Sequence, residues 1–180
     1  MRSTVAAVAL LLGFAVSGKA MAQAAPSSLE IRAGVLAHDV PDLWAGFSLE
    51  GGVDINAEVL IGRGLPFLGG TIRPALGASV NTEGFTSHAY LDARWEYEWR
   101  NGLFFGLGLG AAIHNGEIDC CEPDRKALGS RVLFHIPLEL GLRFDERNSV
   151  SVYFEHMSNG NLADTNEGLD AIGVRYGRRF

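Results

Sequence analysis

Alternation of apolar and polar residues, with no helical spacing, dominates the chain after about residue 22. Successive side chains of a β-strand point to opposite faces, so a period of two predicts strands. In the clearest segment every second residue is apolar: Val132, Phe134, Ile136, Leu138, Leu140, Leu142 and Phe144. Glycine and polar clusters separate the segments and predict eight strands: Leu29–Ala37, Ala45–Leu60, Ile72–Val80, Phe85–Trp99, Leu103–Ile113, Arg131–Phe144, Ser149–Ser158 and Leu169–Phe180.

The length of the strands and the placement of aromatic residues favour a membrane barrel over a soluble sheet. Several segments reach the 9 to 11 residues that a tilted strand needs to cross a bilayer. Aromatic residues gather at one end of the strands, as in an interfacial girdle: Trp95, Tyr97, Trp99, Phe104, Phe105, Phe144 and Phe180. The pattern therefore predicts an all-β fold, an eight-stranded antiparallel transmembrane β-barrel over residues 23–180.

The lengths of the predicted connections agree with a barrel whose aromatic girdle lies at one end. Residues 100–102 and 145–148 form tight turns at the girdle end, whereas the connections 114–130 and 159–168 at the other end are longer. Only the connection 61–71 is long for the girdle end. Polar residues opposite the apolar stripes are expected to fill an interior too small for a wide channel: Glu50, Glu58, Asp92, Arg94, Glu96, Arg131, Glu139, Arg143, Glu155 and Arg175.

The first 22 residues have the features of a secretory signal peptide. Arg2 precedes an apolar run from Val5 to Val16, and Ala20-Met21-Ala22 supplies small residues for cleavage near Ala22. Without Arg2 and Lys19, 13 basic and 21 acidic residues give a formal net charge of −8. An acidic chain argues against a nucleic-acid partner. The predicted signal peptide and the predicted transmembrane barrel together lead us to expect export to a bacterial outer membrane.

Three reactive side chains of the last two strands share the apolar face. His156 and Ser158 continue the stripe of Val150, Val152 and Phe154, and Asp170 is in phase with Ile172 and Val174. In a membrane barrel this face is the outer wall. If His156 lies opposite Asp170, the acid can hold the imidazole while its other nitrogen faces Ser158, which is the Ser-His-acid logic of acyl transfer.

The same stretch resembles a known family. His156-Met-Ser158-Asn159-Gly160, followed by Asn166-Glu-Gly-Leu-Asp170, is similar to the PagL family of lipid A 3-O-deacylases, also called acyloxyacyl hydrolases. The resemblance implies an outer-membrane serine esterase that removes the 3-O-linked acyl chain of lipid A without a metal or other cofactor. It implies His156, Ser158 and Asp170 as catalytic residues, with Asn159, Gly160 and Asn166 near the oxyanion.

Less specific interpretations stay open. His156 and Ser158 could be polar rim residues of a non-catalytic barrel of the OmpX or OmpA type, with an adhesive or structural role. A soluble lipocalin-like carrier, with the apolar stripes lining a cavity, is a third alternative. The pattern also leaves open whether the barrel forms a homodimer.

Some other groups with reactive or charged side chains show no clear pattern. His38, His88, His114 and His135 lack metal-ligand spacing along the sequence. Cys120 and Cys121 are adjacent, so a strained disulfide, free thiols or intermolecular pairing are all open. Arg125 and Lys126 are either solvated loop charges or contacts for lipid A phosphates.

Overall fold

The computed structural model describes residues 28–119 and 122–180, so the predicted signal peptide and the cysteine pair lie outside the described residues. The described residues form nine strands: β1 Leu29–Ala37, β2 Val53–Ile61, β3 Leu65–Phe67, β4 Gly70–Asn81, β5 His88–Glu98, β6 Leu103–His114, β7 Val132–Arg143, β8 Asn148–Ser158 and β9 Leu169–Arg179. Across these two ranges, no helix is both long and apolar enough to cross a membrane.

The strands close into a barrel. Each long strand pairs antiparallel with its neighbours in the order β2-β1-β9-β8-β7-β6-β5-β4, and β2 pairs with β4 to complete the circle. The short strand β3 pairs only with β4, from Leu65 opposite Ile72 to Phe67 opposite Gly70. Closure satisfies the backbone groups that an open sheet would leave at its edges. The predicted eight-stranded antiparallel barrel is confirmed, with β3 as an added hairpin.

Apolar side chains cover the outside of the barrel and charged ones fill the inside. The large exposed residues include Val35, Ile55, Leu76, Leu91, Leu109, Leu140, Val152 and Val174. The predicted interior residues are buried, except Arg131, which is exposed just before β7. The Arg131 side chain lies instead among the loops that follow β6, where its guanidinium donates to the carbonyl of Gly116. A carrier with an apolar internal cavity does not fit this charged interior.

Glu139 is the centre of the interior ion-pair network. Its carboxylate accepts hydrogen bonds from Arg94 at 2.7 Å, Arg175 at 2.6 Å and Ser151 at 2.6 Å, and it also pairs with Arg32. These contacts join β7 to β5, β9, β8 and β1 across the barrel. Removing one partner from such a buried network leaves a charge uncompensated, which commonly costs about 3–5 kcal/mol.

Short turns and aromatic side chains mark one end of the barrel. Trp99, Phe144 and Phe180 are exposed there, as the predicted girdle requires. Phe104 instead faces the interior, where it lies beneath the guanidinium groups of Arg32 and Arg143 at 4.9 and 5.4 Å. The long connection 61–71 is explained by β3, whose Phe67 carbonyl accepts a hydrogen bond from the Trp95 indole at 2.8 Å.

Among the described residues, four loops form the opposite end: loop 1 (residues 38–52), loop 2 (82–87), loop 3 (115–119 and 122–131) and loop 4 (159–168). The predicted strand Ala45–Leu60 is wrong at its start, because residues 45–52 belong to loop 1 and β2 begins at Val53. Likewise β5 begins at His88 rather than Phe85. Glu50 is still buried, because loop 1 folds it over the barrel mouth, where it accepts hydrogen bonds from Thr86 and Lys126.

Candidate active site

The last two strands place His156, Ser158 and Asp170 together at the loop end. The register of β8 and β9 pairs His156 with Asp170 and, farther along, Val152 with Val174. Val152 and Val174 are 52% and 58% exposed, whereas Glu155, which has the opposite phase on β8, is fully buried in the interior. Because side chains alternate between faces, His156 and Asp170 lie on the outer face of the barrel.

Hydrogen bonds connect the three side chains in series. The Nδ1 atom of His156 lies 2.6 Å from Oδ1 of Asp170, and its Nε2 atom lies 3.1 Å from Oγ of Ser158. With the Nδ1 proton donated to the carboxylate, Nε2 is left to accept the serine hydroxyl proton. The arrangement therefore has the connectivity of an activated serine nucleophile, a base and an acid that orients the base.

Loop 1 covers the acid and the base from outside the barrel. The Val40 N–H donates to the backbone carbonyl of Asp170 at 2.9 Å, and the Ala45 N–H donates to its Oδ2 atom at 2.7 Å. The Trp44 indole stacks on the His156 ring, with centroids 4.4 Å apart. His156 is consequently only 4% exposed and Asp170 is fully buried, although both point away from the barrel interior.

Gly168 allows loop 4 to pass closely over the histidine. It has a φ of +65°, a backbone conformation that residues other than glycine rarely adopt. A Cβ atom there would lie 3.3 Å from Cε1 of His156 and 3.5 Å from Cβ of Ala45. Sequence reasoning missed Trp44 and Ala45 because no local pattern shows that loop 1 returns to β8 and β9. Gly168 belongs to the motif quoted for the family resemblance, but the sequence assigned it no role.

The three predicted oxyanion residues lie in loop 4, directly after the serine. The Asn159 side-chain amide donates to the carbonyls of Leu128 at 2.9 Å and Thr165 at 2.6 Å. Its backbone N–H donates to Oδ1 of Asn166 at 2.9 Å, and the Asn166 amide donates to Asn161 at 3.0 Å. In this arrangement both asparagine side chains hold loop 4 in shape. Gly160 follows with a φ of +66° at the tip of the turn.

A buried charge cluster anchors loop 1. His38 contacts Asp54 at 2.8 Å and Glu50 at 3.0 Å. Burial alone would lower the pKa of His38, but hydrogen bonds to Asp54 and Glu50 raise it to about 9. Burial alone would raise the pKa of Glu50, but hydrogen bonds from His38 and from the N–H groups of Lys126 and Thr86 lower it to about 2.

Lys126 links loop 3 to loop 1 and is fully buried. Its ammonium lies 3.4 Å from Oδ1 of Asp39 and 3.7 Å from the centre of the Phe47 ring, and it donates to the Phe47 carbonyl. It is therefore neither a solvated charge nor a free contact for phosphate. Arg125 beside it lies over the Phe85 ring at 5.0 Å and donates to Gly84 at 3.1 Å.

Two apolar grooves lie on the outer surface. The first, with a volume of about 360 Å³, is lined by Val132, Phe134 and Leu162 together with Asn159. Phe134 is the strand partner of Ser158, so this groove borders the serine. The second, of about 620 Å³, lies along β1, β9, β8 and β7 towards the girdle end and is lined by Val35, Leu140, Val152, Val174 and Tyr176.

Solved structures with the same barrel fold include that of an outer membrane enzyme. The crystal structure of the outer membrane enzyme PagL matches with a TM-score of 0.64 and 19% identity, over 84% of this chain and 99% of that chain. The N-terminal β-barrel domain of Pseudomonas aeruginosa OprF matches with a TM-score of 0.59 and 16% identity, over 88% and 100%. At these identities the likeness shows the barrel fold alone.

Sequence comparison is more specific. No curated protein matches the chain. The family model described as lipid A 3-O-deacylase (PagL) matches residues 42–179, a range that includes Trp44, β2 to β9 and all three candidate catalytic residues. The chain therefore belongs to the PagL family of lipid A 3-O-deacylases.

Proposed function

We propose that the protein is an outer-membrane serine esterase that removes the 3-O-linked acyl chain of lipid A. The observation that carries this proposal is the position of His156, whose ring nitrogens contact Asp170 at 2.6 Å and Ser158 at 3.1 Å. Membership of the lipid A 3-O-deacylase family supplies the substrate. The mechanism needs no metal or organic cofactor, because serine, histidine and aspartate provide the nucleophile, base and orienting acid.

In the first step Ser158 Oγ attacks the ester carbonyl and His156 Nε2 takes the hydroxyl proton. Asp170 stabilises the resulting imidazolium through Nδ1. When the tetrahedral intermediate collapses, His156 returns the proton to the departing sugar oxygen and the acyl chain stays on Ser158. A water molecule then attacks this ester with His156 as base, and the fatty acid leaves.

The negative oxygen of the intermediate needs hydrogen-bond donors. The Asn159 side chain already donates to carbonyls of loop 3 and loop 4, and the Asn166 side chain donates to Asn161 within loop 4. We therefore assign the main donor to the backbone N–H of Gly160, with Asn159 and Asn166 holding the turn that presents it. One such donor commonly contributes roughly 3–4 kcal/mol to the stability of the transition state.

The outer face is a suitable place for a substrate that lies in the membrane. Apolar strand surfaces would face lipid, and the catalytic groups at the loop end would lie at the level of lipid A in the outer leaflet. The 360 Å³ groove beside Ser158 offers an apolar surface for the acyl chain. We also propose that residues 1–22 are a signal peptide that is cleaved when the protein is exported to the outer membrane.

Release of a fatty acid from lipid A by the purified barrel tests the proposal. Protein in detergent is mixed with lipid A in micelles, and free fatty acids are measured over time. We expect release by the native protein and none by Ser158→Ala, whereas Ser28→Ala, which alters an exposed serine just before β1 at the girdle end, keeps full activity. A non-catalytic barrel, the alternative function, would release no fatty acid in any form.

A further inference from the structure

Three side chains that the ester mechanism does not use converge inside the barrel, beneath the catalytic strand. They are His88 of β5, His135 of β7 and Glu155 of β8, which are 4%, 0% and 0% exposed. One ligand atom from each residue falls within 4.8 Å of the others. Nε2 of His88 lies 3.3 Å from Oε1 of Glu155, and Nε2 of His135 lies 3.2 Å from Oε2.

Asp92 orients one of these histidines. Its two carboxylate oxygens lie 3.0 and 2.9 Å from Nδ1 of His135, and Nε2 of the same ring lies within hydrogen-bond distance of Oε2 of Glu155 at 3.2 Å. In the tautomer that carries its proton on Nδ1, the Nε2 lone pair is directed at the space beside Glu155. Metal-bound histidines are commonly held in this way by a carboxylate on the far ring nitrogen. Glu155 is oriented similarly, because the Ser79 hydroxyl donates to its Oε1 atom at 3.0 Å.

The hydrogen bonding of the second histidine, His88, also points to a ligand. Among the residues that the structure describes, neither Nδ1 nor Nε2 of His88 has a partner with the alignment that a hydrogen bond needs, although Nε2 lies close to Glu155. Leaving a buried polar group unsatisfied is destabilising. A side chain left in this state, 4% exposed and directed at two further ligand groups, indicates that a ligand belongs between them.

We propose that His88, His135 and Glu155 bind a Zn²⁺ ion inside the barrel. In a tetrahedral zinc site with bonds of about 2.0–2.1 Å, neighbouring ligand atoms are separated by about 3.3 Å, close to the two nitrogen-to-oxygen distances. Two neutral imidazoles and one carboxylate form a typical zinc ligand set, with a fourth position for water. The carboxylates of Glu155 and Asp92 together balance the charge of the ion.

The site serves to stabilise the barrel. It joins β5, β7 and β8, and Glu155 precedes His156 on β8 with its side chain on the opposite face. The ion therefore fixes the strand that positions the base while staying separated from the ester by the barrel wall. Since metal affinity adds to the stability of the state that binds it, loss of zinc lowers thermal stability.

Metal content of the full-length purified barrel tests this proposal. The protein is folded with and without Zn²⁺, passed through a desalting column, and its zinc is measured by mass spectrometry. We expect one tightly held Zn²⁺ per chain and a lower melting temperature after chelation. Replacement of Zn²⁺ by Co²⁺ is expected to give the visible absorption bands of a tetrahedral site.

Variants distinguish this site from adventitious binding. His88→Gln and Glu155→Gln keep the side-chain volume close to native and are expected to lower zinc affinity at least 100-fold. His114→Gln is the matched control, because His114 is the strand partner of His88 but bonds the Ser130 carbonyl at 2.7 Å. Native protein without zinc, or variants that bind it as tightly as native, would show that the histidines are protonated partners of the carboxylates, and the proposal would be overturned.

Discussion

The indole of Trp44 lies almost parallel to the imidazole of His156, with the two ring planes 8° apart and their centroids separated by 4.4 Å. This contact joins loop 1 to β8 on the outside of the barrel. It shields the face of the base from solvent and restricts rotation of its ring. Loop 1 is thus part of the candidate active site, and its stability should affect activity.

Trp44→Ala should slow hydrolysis without unfolding the barrel. An aromatic pair contributes about 0.5–1.5 kcal/mol beyond its buried area, so loss of the stack should lower kcat by roughly 2- to 10-fold. Trp44→Phe, which keeps an aromatic ring, should lose less. The measurement is the initial rate of fatty-acid release, with Trp99→Phe at the girdle end as control. Equal rates for native and Trp44→Ala would show that the stack does not position His156.

Asp170→Asn should have a much larger effect. An asparagine cannot stabilise the imidazolium and favours the wrong tautomer of His156, and the same change in a Ser-His-Asp protease lowers kcat about 10⁴-fold. We expect a loss of 10³- to 10⁴-fold, measured by the same assay. Asp170→Glu keeps the charge and should retain more activity. A rate for Asp170→Asn within tenfold of native would exclude Asp170 as the orienting acid.

Loop 1 should be held most firmly at mildly acidic pH. The pKa of His38 rises from its ordinary 6.5 to about 9, so its contribution is complete below about pH 6.5 and is lost as pH rises through 9. The pKa of Glu50 falls from 4.5 to about 2, so its contribution is complete above about pH 4.5 and is lost as pH falls through 2. Both are therefore complete between about pH 4.5 and 6.5.

Hydrogen exchange of the loop 1 amides, corrected for intrinsic rates, measures this dependence. Protection should be greatest inside that window and fall as the pH rises from about 6.5 through 9. His38→Gln removes the titrating group and should flatten the alkaline limb. Protection in the native protein that stays constant from pH 6 to pH 10 would contradict the assignment of the anchor to His38.

Lys126→Met should loosen loops 1 and 3. The variant leaves Asp39 buried without its cation, and breaking a buried ion pair from one side commonly costs about 3–5 kcal/mol. Arg125→Met, at the position directly before Lys126, removes a partly exposed charge and should cost less than about 1 kcal/mol. Protease cleavage within loop 3 at increasing temperature compares the two. Similar cleavage of both variants would show that the Lys126 contacts contribute little.

The strand pattern predicted the barrel because alternation follows directly from the geometry of a strand. It failed at residues 45–52, where Glu50 keeps the alternating phase although the backbone has left the sheet and folds over the barrel mouth. Arg131 was wrongly expected inside for the same reason, since the phase of β7 does not continue into loop 3. Local patterns do not show where a strand ends and a covering loop begins.

The candidate active site was predictable only as far as one hairpin extends. His156, Ser158 and Asp170 come from adjacent strands, so period and register bring them together, and their catalytic roles stay predictions. Trp44 approaches from more than 100 residues away in the sequence. The same limit applies to His88, His135 and Glu155, because three separate strands of a closed barrel bring them together with no sequence spacing to reveal it.

The mass of lipid A in a living outer membrane tests the central claim most directly. The protein is expressed in a heterologous Gram-negative host, in native form and as Ser158→Ala, and both barrels are checked for folding by heat-modifiable migration in gels. The native protein should yield lipid A lighter by one ester-linked acyl chain, and Ser158→Ala should yield unmodified lipid A. The same loss of mass with both proteins, or no loss with the folded native protein, would contradict an esterase that uses Ser158.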